Sequence, residues 1–276
     1  MIYWGLAIAG ISVIAGIFIA IQWARRARRE RLLAAPFPEA WKRIIEKNVP
    51  LYHRLPEALQ KELGGLVNVF LAEKHFEGCA EQVIDDEVRV TIAAQACMLL
   101  LNRKTHYFPK LHTILVYPHT YVAKTLTSDG RVTIDNQSVR LGESWQNGPV
   151  VLAWDSVKGG ASNIADARNV VFHEFAHQLD QEDGAADGAP ILTHRSAYSA
   201  WARILGEEYA TLQARKKARQ RSVLNKYGAT HPAEFFAVAT ETFFEKPKQL
   251  HKRHRDLYDE LRDYYQLDPL EWTRRK

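Results

Sequence analysis

The chain has 276 residues, 46% of them hydrophobic and 25% charged, with two cysteines and a formal net charge of +5. This composition excludes disordered, collagenous and disulfide-rich classes and is enough to bury a sizeable core. Residues 25–31 hold five arginines and one glutamate, so the remainder is nearly neutral, which argues against direct nucleic-acid binding, since that depends on neutralising phosphates.

The first feature in the chain is an uncharged run, Ile2 to Ile21, followed after Gln22, Trp23 and Ala24 by "RRARRER". About twenty apolar residues suffice to cross a hydrocarbon core, and positive charge only on the C-terminal side places the rest of the chain in the cytoplasm. The expectation is a transmembrane anchor over 1–23, a basic juxtamembrane linker over 24–35, and a catalytic domain over 36–276 facing the cytoplasm from the inner membrane. Cys79 and Cys97 have no metal-type spacing and read as free thiols.

From Pro56, apolar residues recur at helical spacing through a Gly-Gly pair, and 88–101 reads as a second, buried helix. Short β-type runs come next at 113–118, 138–145 and 149–157, with Asp-Gly at 129–130 and Asn-Gly at 147–148 as turn signals. These predict a small mixed or antiparallel sheet. Helical patterns then occupy 161–180, about 195–216, 232–245 and 247–264, the last two opening at Pro232 and Pro247. Helices, then strands, then helices point to one α+β domain with a mostly helical C-terminal half. The basic run from Arg215 to Arg221 reads as a solvated helix face.

The chemistry concentrates in "VFHEFAHQLDQEDG", residues 171–184. His173 and His177 stand four apart, so on a helix both rings project from one face and can share a metal ion. Glu174 lies beside them, where a general base for a metal-activated water is needed. Apolar neighbours make this helix an expensive place for titratable groups unless they are paired or ligated. A third ligand is required, and two carboxylates qualify. Asp183 sits six residues past His177, but the glycine and downstream methionine turn that go with that offset are missing. Glu234 lies in "HPAEFFAVATETFFE", a second apolar helix. Glu241 shares its face, and Asp180 comes seven residues after His173; both are candidates to orient a ligand histidine.

Taken together, "GESWQNGPVVLAW", "HEFAHQLD" and "HPAEFFAV…ETFF" resemble the Mlc titration factor A (MtfA) family of zinc peptidases. The resemblance runs from about Pro36 to Pro269. It implies a zincin-like metallopeptidase domain of gluzincin type, with one Zn2+ per chain ligated by His173, His177 and Glu234 and with Glu174 as general base. It implies further that Tyr227, seven residues before Glu234, stabilises the oxyanion, and that the substrate is a peptide cut near a free amino terminus. Binding of a transcriptional repressor of the Mlc type is the partner it suggests. The rival reading is a regulator-binding protein on a peptidase scaffold, which would have no use for Glu174.

Overall fold

A computed structural model of the chain describes residues 2–103, 107–126, 132–140, 142–144 and 148–272, with the backbone alone for 2–12, 121–126, 132–140 and 142–144. The Asp-Gly turn at 129–130, Leu141, Trp145 and Asn147 lie outside the described residues.

Helix α1 (Ile2–Ala34) leads into α2 (Glu39–Asn48), a 3-10 turn (Pro50–Arg54) and α3 (Glu57–Glu73). Strand β1 (His75–Gly78), helix α4 (Asp86–Met98) and strand β2 (Thr113–Tyr117) come next. The ribbon β3 (Tyr121–Leu126) and β4 (Val132–Arg140) stands apart from the main sheet, which resumes with β5 (Gly142–Ser144) and β6 (Val150–Ala153). The rest is helical: α5 (Trp154–Ser162), α6 (Val170–Asp180), α7 (Ala197–Lys217), α8 (Pro232–Glu245), α9 (Pro247–Arg253), α10 (Arg255–Tyr265) and α11 (Pro269–Trp272).

The fold class expected from sequence needs two corrections. The chain is mostly helical, and its main sheet is built on three parallel strands, β1, β2 and β6, with the short β5 antiparallel to β6 at the edge. Hairpin signals gave too much weight to antiparallel pairing: they describe local reversals such as β3–β4, whereas β1 and β2 are joined through α4, the crossover that parallel strands need. All four residues of β6 are buried, as expected of a strand covered on both faces. The run 149–157 is strand only to Ala153, because Trp154 opens α5.

Second, no helix among the described residues is long and apolar enough to cross a membrane, which overturns the expected transmembrane anchor, the membrane partner and the inner-membrane location. The physical reason lies in α1. The arginines do not flank a span; they belong to one unbroken helix whose last turns dock on the domain. Arg29 makes a bidentate pair with Glu73 at 2.7 and 2.8 Å and lies 4.6 Å over the Tyr107 ring. Asn68 donates to the Leu32 and Ala35 carbonyls, and Gly65 lets the two helices touch, since a Cβ there would stand 2.8 Å from the Leu33 carbonyl oxygen. Along the preceding turns Val13, Ile14, Ile17, Phe18, Ile19, Ile21 and Trp23 are exposed.

Beneath α6 the core is aromatic. Phe175 packs on Phe70 of α3 and on Phe108 at 5.7 and 4.9 Å between ring centroids, and Phe70 meets Phe76 of β1. Each ring so buried contributes about 1.5–3 kcal/mol. The loop 107–111 that carries Phe108 is fastened by the buried Lys74, which donates to the Phe108 and Leu111 carbonyls at 2.7 and 2.8 Å, and by Lys110, which donates to Gln181 just past α6. Burial pushes the Lys74 amine down to about 8.

One glycine substitution tests the docking of α1, and a second, on the surface of α7, serves as its comparison. Gly65→Ala forces its methyl against backbone and should lower unfolding stability by about 1–3 kcal/mol. Gly206→Ala, in an exposed stretch of α7 with open space around it, should raise stability by about 0.5–1 kcal/mol. Denaturant midpoints of the two variants measure both.

Candidate metal centre

The local sequence of α6 places titratable groups in a dry environment. Asn169 caps it, its Oδ1 accepting from the Phe172 N–H at 3.0 Å. Val171, Phe172, Phe175, Ala176 and Leu179 are buried along the helix. The i, i+4 spacing stacks His173 and His177 with ring centroids 4.9 Å apart. Between them Glu174 is only 4% exposed, and its Oε2 has no hydrogen-bond partner; an unpaired buried carboxylate oxygen is rare enough to call for a chemical reason.

Helix α8 packs along α6. Pro232 starts it, and His231 caps it through Nδ1, which accepts from the Ala233 N–H at 3.3 Å. Seven residues separate Glu234 from Glu241, so both carboxylates face α6. Glu234 Oε2 lies 2.9 Å from His173 Nε2 and 3.5 Å from His177 Nε2, while Glu241 Oε1 lies 2.7 Å from His173 Nδ1. The His173 ring is thus held at both nitrogens by two carboxylates of one helix.

One donor atom each from His173, His177 and Glu234 falls within 4.8 Å of the others, a group able to hold a metal ion. A tetrahedral ion at about 2.1 Å from its ligands spaces them about 3.4 Å apart, the same scale as the separations between these side chains. Two imidazoles and one carboxylate are a donor set that suits zinc. The residues therefore fit the group that the sequence suggests.

Electrostatics follow from burial and pairing. Burial opposes charge on His173, but its hydrogen bonds to Glu234 and Glu241 outweigh it and hold the imidazole well above the usual range. Burial pushes Glu174 up to about 7 against the pull of His173 and His177. For Glu234 the burial penalty is overcome by hydrogen bonds from both histidines, which hold it well below the usual carboxylate range. Tyr227 lies in a 3-10 turn (Lys226–Ala229), half-exposed, its ring 5.9 Å from that of His173. Burial and the Glu234 and Glu174 charges push its phenol up to about 12.

At the other end of α6, Asp180 is fully buried and accepts from the Gly188 N–H at 3.0 Å. The Gly188 carbonyl accepts from Trp201 Nε1 of α7 at 2.9 Å, and Gly188, at φ +81°, sits where a Cβ would meet the Pro232 carbonyl oxygen at 2.6 Å. One glycine thus joins the end of α6, the start of α8 and α7. Asp180 contacts this loop and not a histidine nitrogen. Asp183 lies in the exposed turn after α6, accepting from the Ala185 N–H, outside the cluster.

Sequence reading missed Asn169, Gln95 and Glu245. Asn169 donates its N–H to Glu241 Oε2 at 2.7 Å and its amide Nδ2 to Gln95 Oε1 at 2.9 Å and Glu245 Oε1 at 3.2 Å. An asparagine directly before an apolar helical run signals a cap, which would have found Asn169 but not its partners.

Known proteins share this arrangement of sequence over most of the chain. The sequence model of the glucose-regulated metallo-peptidase M90 family matches residues 22–266. An uncharacterized protein of Synechocystis sp. is 43% identical over 245 residues, 88% of this chain and 89% of that one. Mlc titration factor A of Cronobacter sakazakii is 30% identical over 254 residues, 91% and 93% of the two chains, and its Escherichia coli counterpart is 30% identical over 228 residues, 81% and 85%.

Burial, with Glu241 and Asp166 nearby, pushes Glu245 up to about 8 in the folded chain, against about 4.3 unfolded. A raised carboxylate binds its proton more tightly when folded. Its contribution is therefore favourable at low pH and is lost as pH rises from about 4.3 to about 8. Glu245→Gln should remove that loss, raising the melting temperature relative to the native chain more at pH 8.5 than at pH 5, as thermal unfolding at the two pH values will show.

Proposed function

Because the chain belongs to the glucose-regulated metallo-peptidase M90 family, we propose that it hydrolyses peptide bonds at a single zinc ion held by His173, His177 and Glu234. The observation that carries this reading is the convergence of those three donors beside a buried glutamate with an unpartnered oxygen. A binding scaffold has no need for Glu174; a hydrolase does.

When bound, the ion supplies Lewis acidity, polarising a carbonyl and making water easier to deprotonate. Glu174 takes the proton of the attacking water and delivers it to the departing amine, so that one water and one amide become a carboxylic acid and an amine, whose remaining proton exchange leaves a carboxylate and an ammonium ion. Its raised affinity for protons suits both halves of that transfer. Tyr227 donates its O–H to the oxyanion, where negative charge develops. β5 supports a mode of substrate alignment: it is an edge strand of the main sheet, next to α6, and can pair with an extended peptide by main-chain hydrogen bonds. The reading extends to cleavage near a free amino terminus. The names of the Cronobacter and Escherichia relatives support a second role, binding a repressor of the Mlc type.

Glu174→Gln should keep about one zinc per chain and lower kcat on aminoacyl-anilide substrates by about a hundredfold to ten-thousandfold; hydrolysis at the native rate would sink the mechanism. Tyr227→Phe should lower kcat by about a hundredfold with KM little changed. Zinc content measured after dialysis separates the two carboxylates: Glu234→Ala should lose the metal and Asp183→Ala should retain it.

A further inference from the structure

A metal-binding imidazole must present one nitrogen as a lone pair, aimed within a narrow cone, and the group on its other nitrogen decides both tautomer and aim. For His173 that group is Glu241, whose Oε1 accepts from Nδ1 at 2.7 Å. A free glutamate side chain has several rotamers, so one hydrogen bond to a ring would not fix it. Glu241 has a second anchor: its Oε2 accepts the Asn169 backbone N–H at 2.7 Å. The carboxylate therefore bridges the first residue before α6 and the first histidine on it, closing a loop across one turn of that helix from the α8 side.

Asn169 itself is immobilised. Its Oδ1 caps α6 and its carbonyl accepts from the His173 N–H at 2.9 Å. Its Nδ2 donates to Gln95 of α4 and Glu245 at the end of α8. Every polar group of this residue is engaged, and with 3% exposure water has little access to compete. Three helices thus meet on a single asparagine one turn ahead of His173.

We propose that Glu241 is a positioning residue for the metal site and that Asn169 is the anchor that holds it there. Together they fix the Nδ1–H tautomer of His173 and leave Nε2 turned toward Glu234 and His177. This inference rests on the metal-centre reading of those three residues. It assigns to Asn169 and Glu241 no contact with substrate; both act through His173.

The test is zinc affinity of the full chain, measured by competition with a chromophoric chelator, together with the visible spectrum of the cobalt(II)-substituted protein, which reports ligand geometry. Glu241→Ala should weaken zinc binding by about 10- to 100-fold, and Glu241→Gln, which keeps an acceptor for Nδ1–H, should recover part of that loss. Asn169→Ser retains a capping oxygen but cannot reach Gln95 and Glu245; it should weaken zinc by roughly tenfold, at the lower edge of the same range, and alter the cobalt spectrum. Gly65→Ala, destabilised far from the site, should melt earlier with zinc affinity unchanged, which separates positioning from general loss of stability. If the native chain binds zinc and Glu234→Ala does not, yet Glu241→Ala and Asn169→Ser bind as tightly as the native chain, the positioning role is overturned alone. If the native chain fails to bind zinc, or Glu234→Ala binds equally well, the metal-centre reading falls and this inference with it.

Discussion

The contact on which the structure turns is a buried one between α6 and α8, where two imidazoles meet two carboxylates. Desolvating these four groups separately would be prohibitive; together, and hydrogen-bonded, they tolerate the interior. That requirement explains features well away from the contact. α6 and α8 are apolar on most other sides because they must be sealed from water, and each begins with a capping side chain because its orphan N–H groups are also shut away. The Phe175–Phe108–Phe70 floor holds α6 against the sheet, so the helix cannot slide to relieve the charges. Glu174 shares this dry environment with one oxygen left unpartnered, and its altered proton affinity is a direct result.

The two ends of the helix pair are secured by different means. At the Asn169 end the fastening is polar and dense, three helices joined through amides and carboxylates. At the Asp180 end it is a close approach of backbones around Gly188, where only a residue without a side chain fits. A shift of either end would move Glu234 relative to the histidines, since the two helices run side by side along their length.

How much of this is legible in the sequence depends on the separation of the residues involved. His173, Glu174 and His177 are legible because i, i+4 geometry is local, and α8 is legible from Pro232 and its apolar run. Glu234 stands out as a carboxylate among phenylalanines, yet the choice between it and Asp183 is tertiary: Asp183 lies beyond the helix end, where the chain turns outward. Gln95 and Asn169 are 74 residues apart, and no periodicity links them. Hairpin signals report a ribbon and not the sheet, because the parallel pairs are joined by longer crossings, α4 between β1 and β2 and the β3–β4 ribbon with β5 between β2 and β6. Hydropathy misjudges α1 for a related reason: it counts the arginines but cannot register that Arg29 has a carboxylate waiting for it on α3.

That pairing has a practical consequence for anyone trimming the chain. Arg29 also covers Tyr107, whose loop is tied through Lys110 to the Gln181 carbonyl at the foot of α6. A version beginning after Ala35 would strip the guanidinium from Glu73, uncover Gly65 where it abuts Leu33 and loosen the border of the loop that supports the end of α6. A version beginning at Gln22 or Trp23 would discard the exposed apolar turns and keep every one of those fastenings.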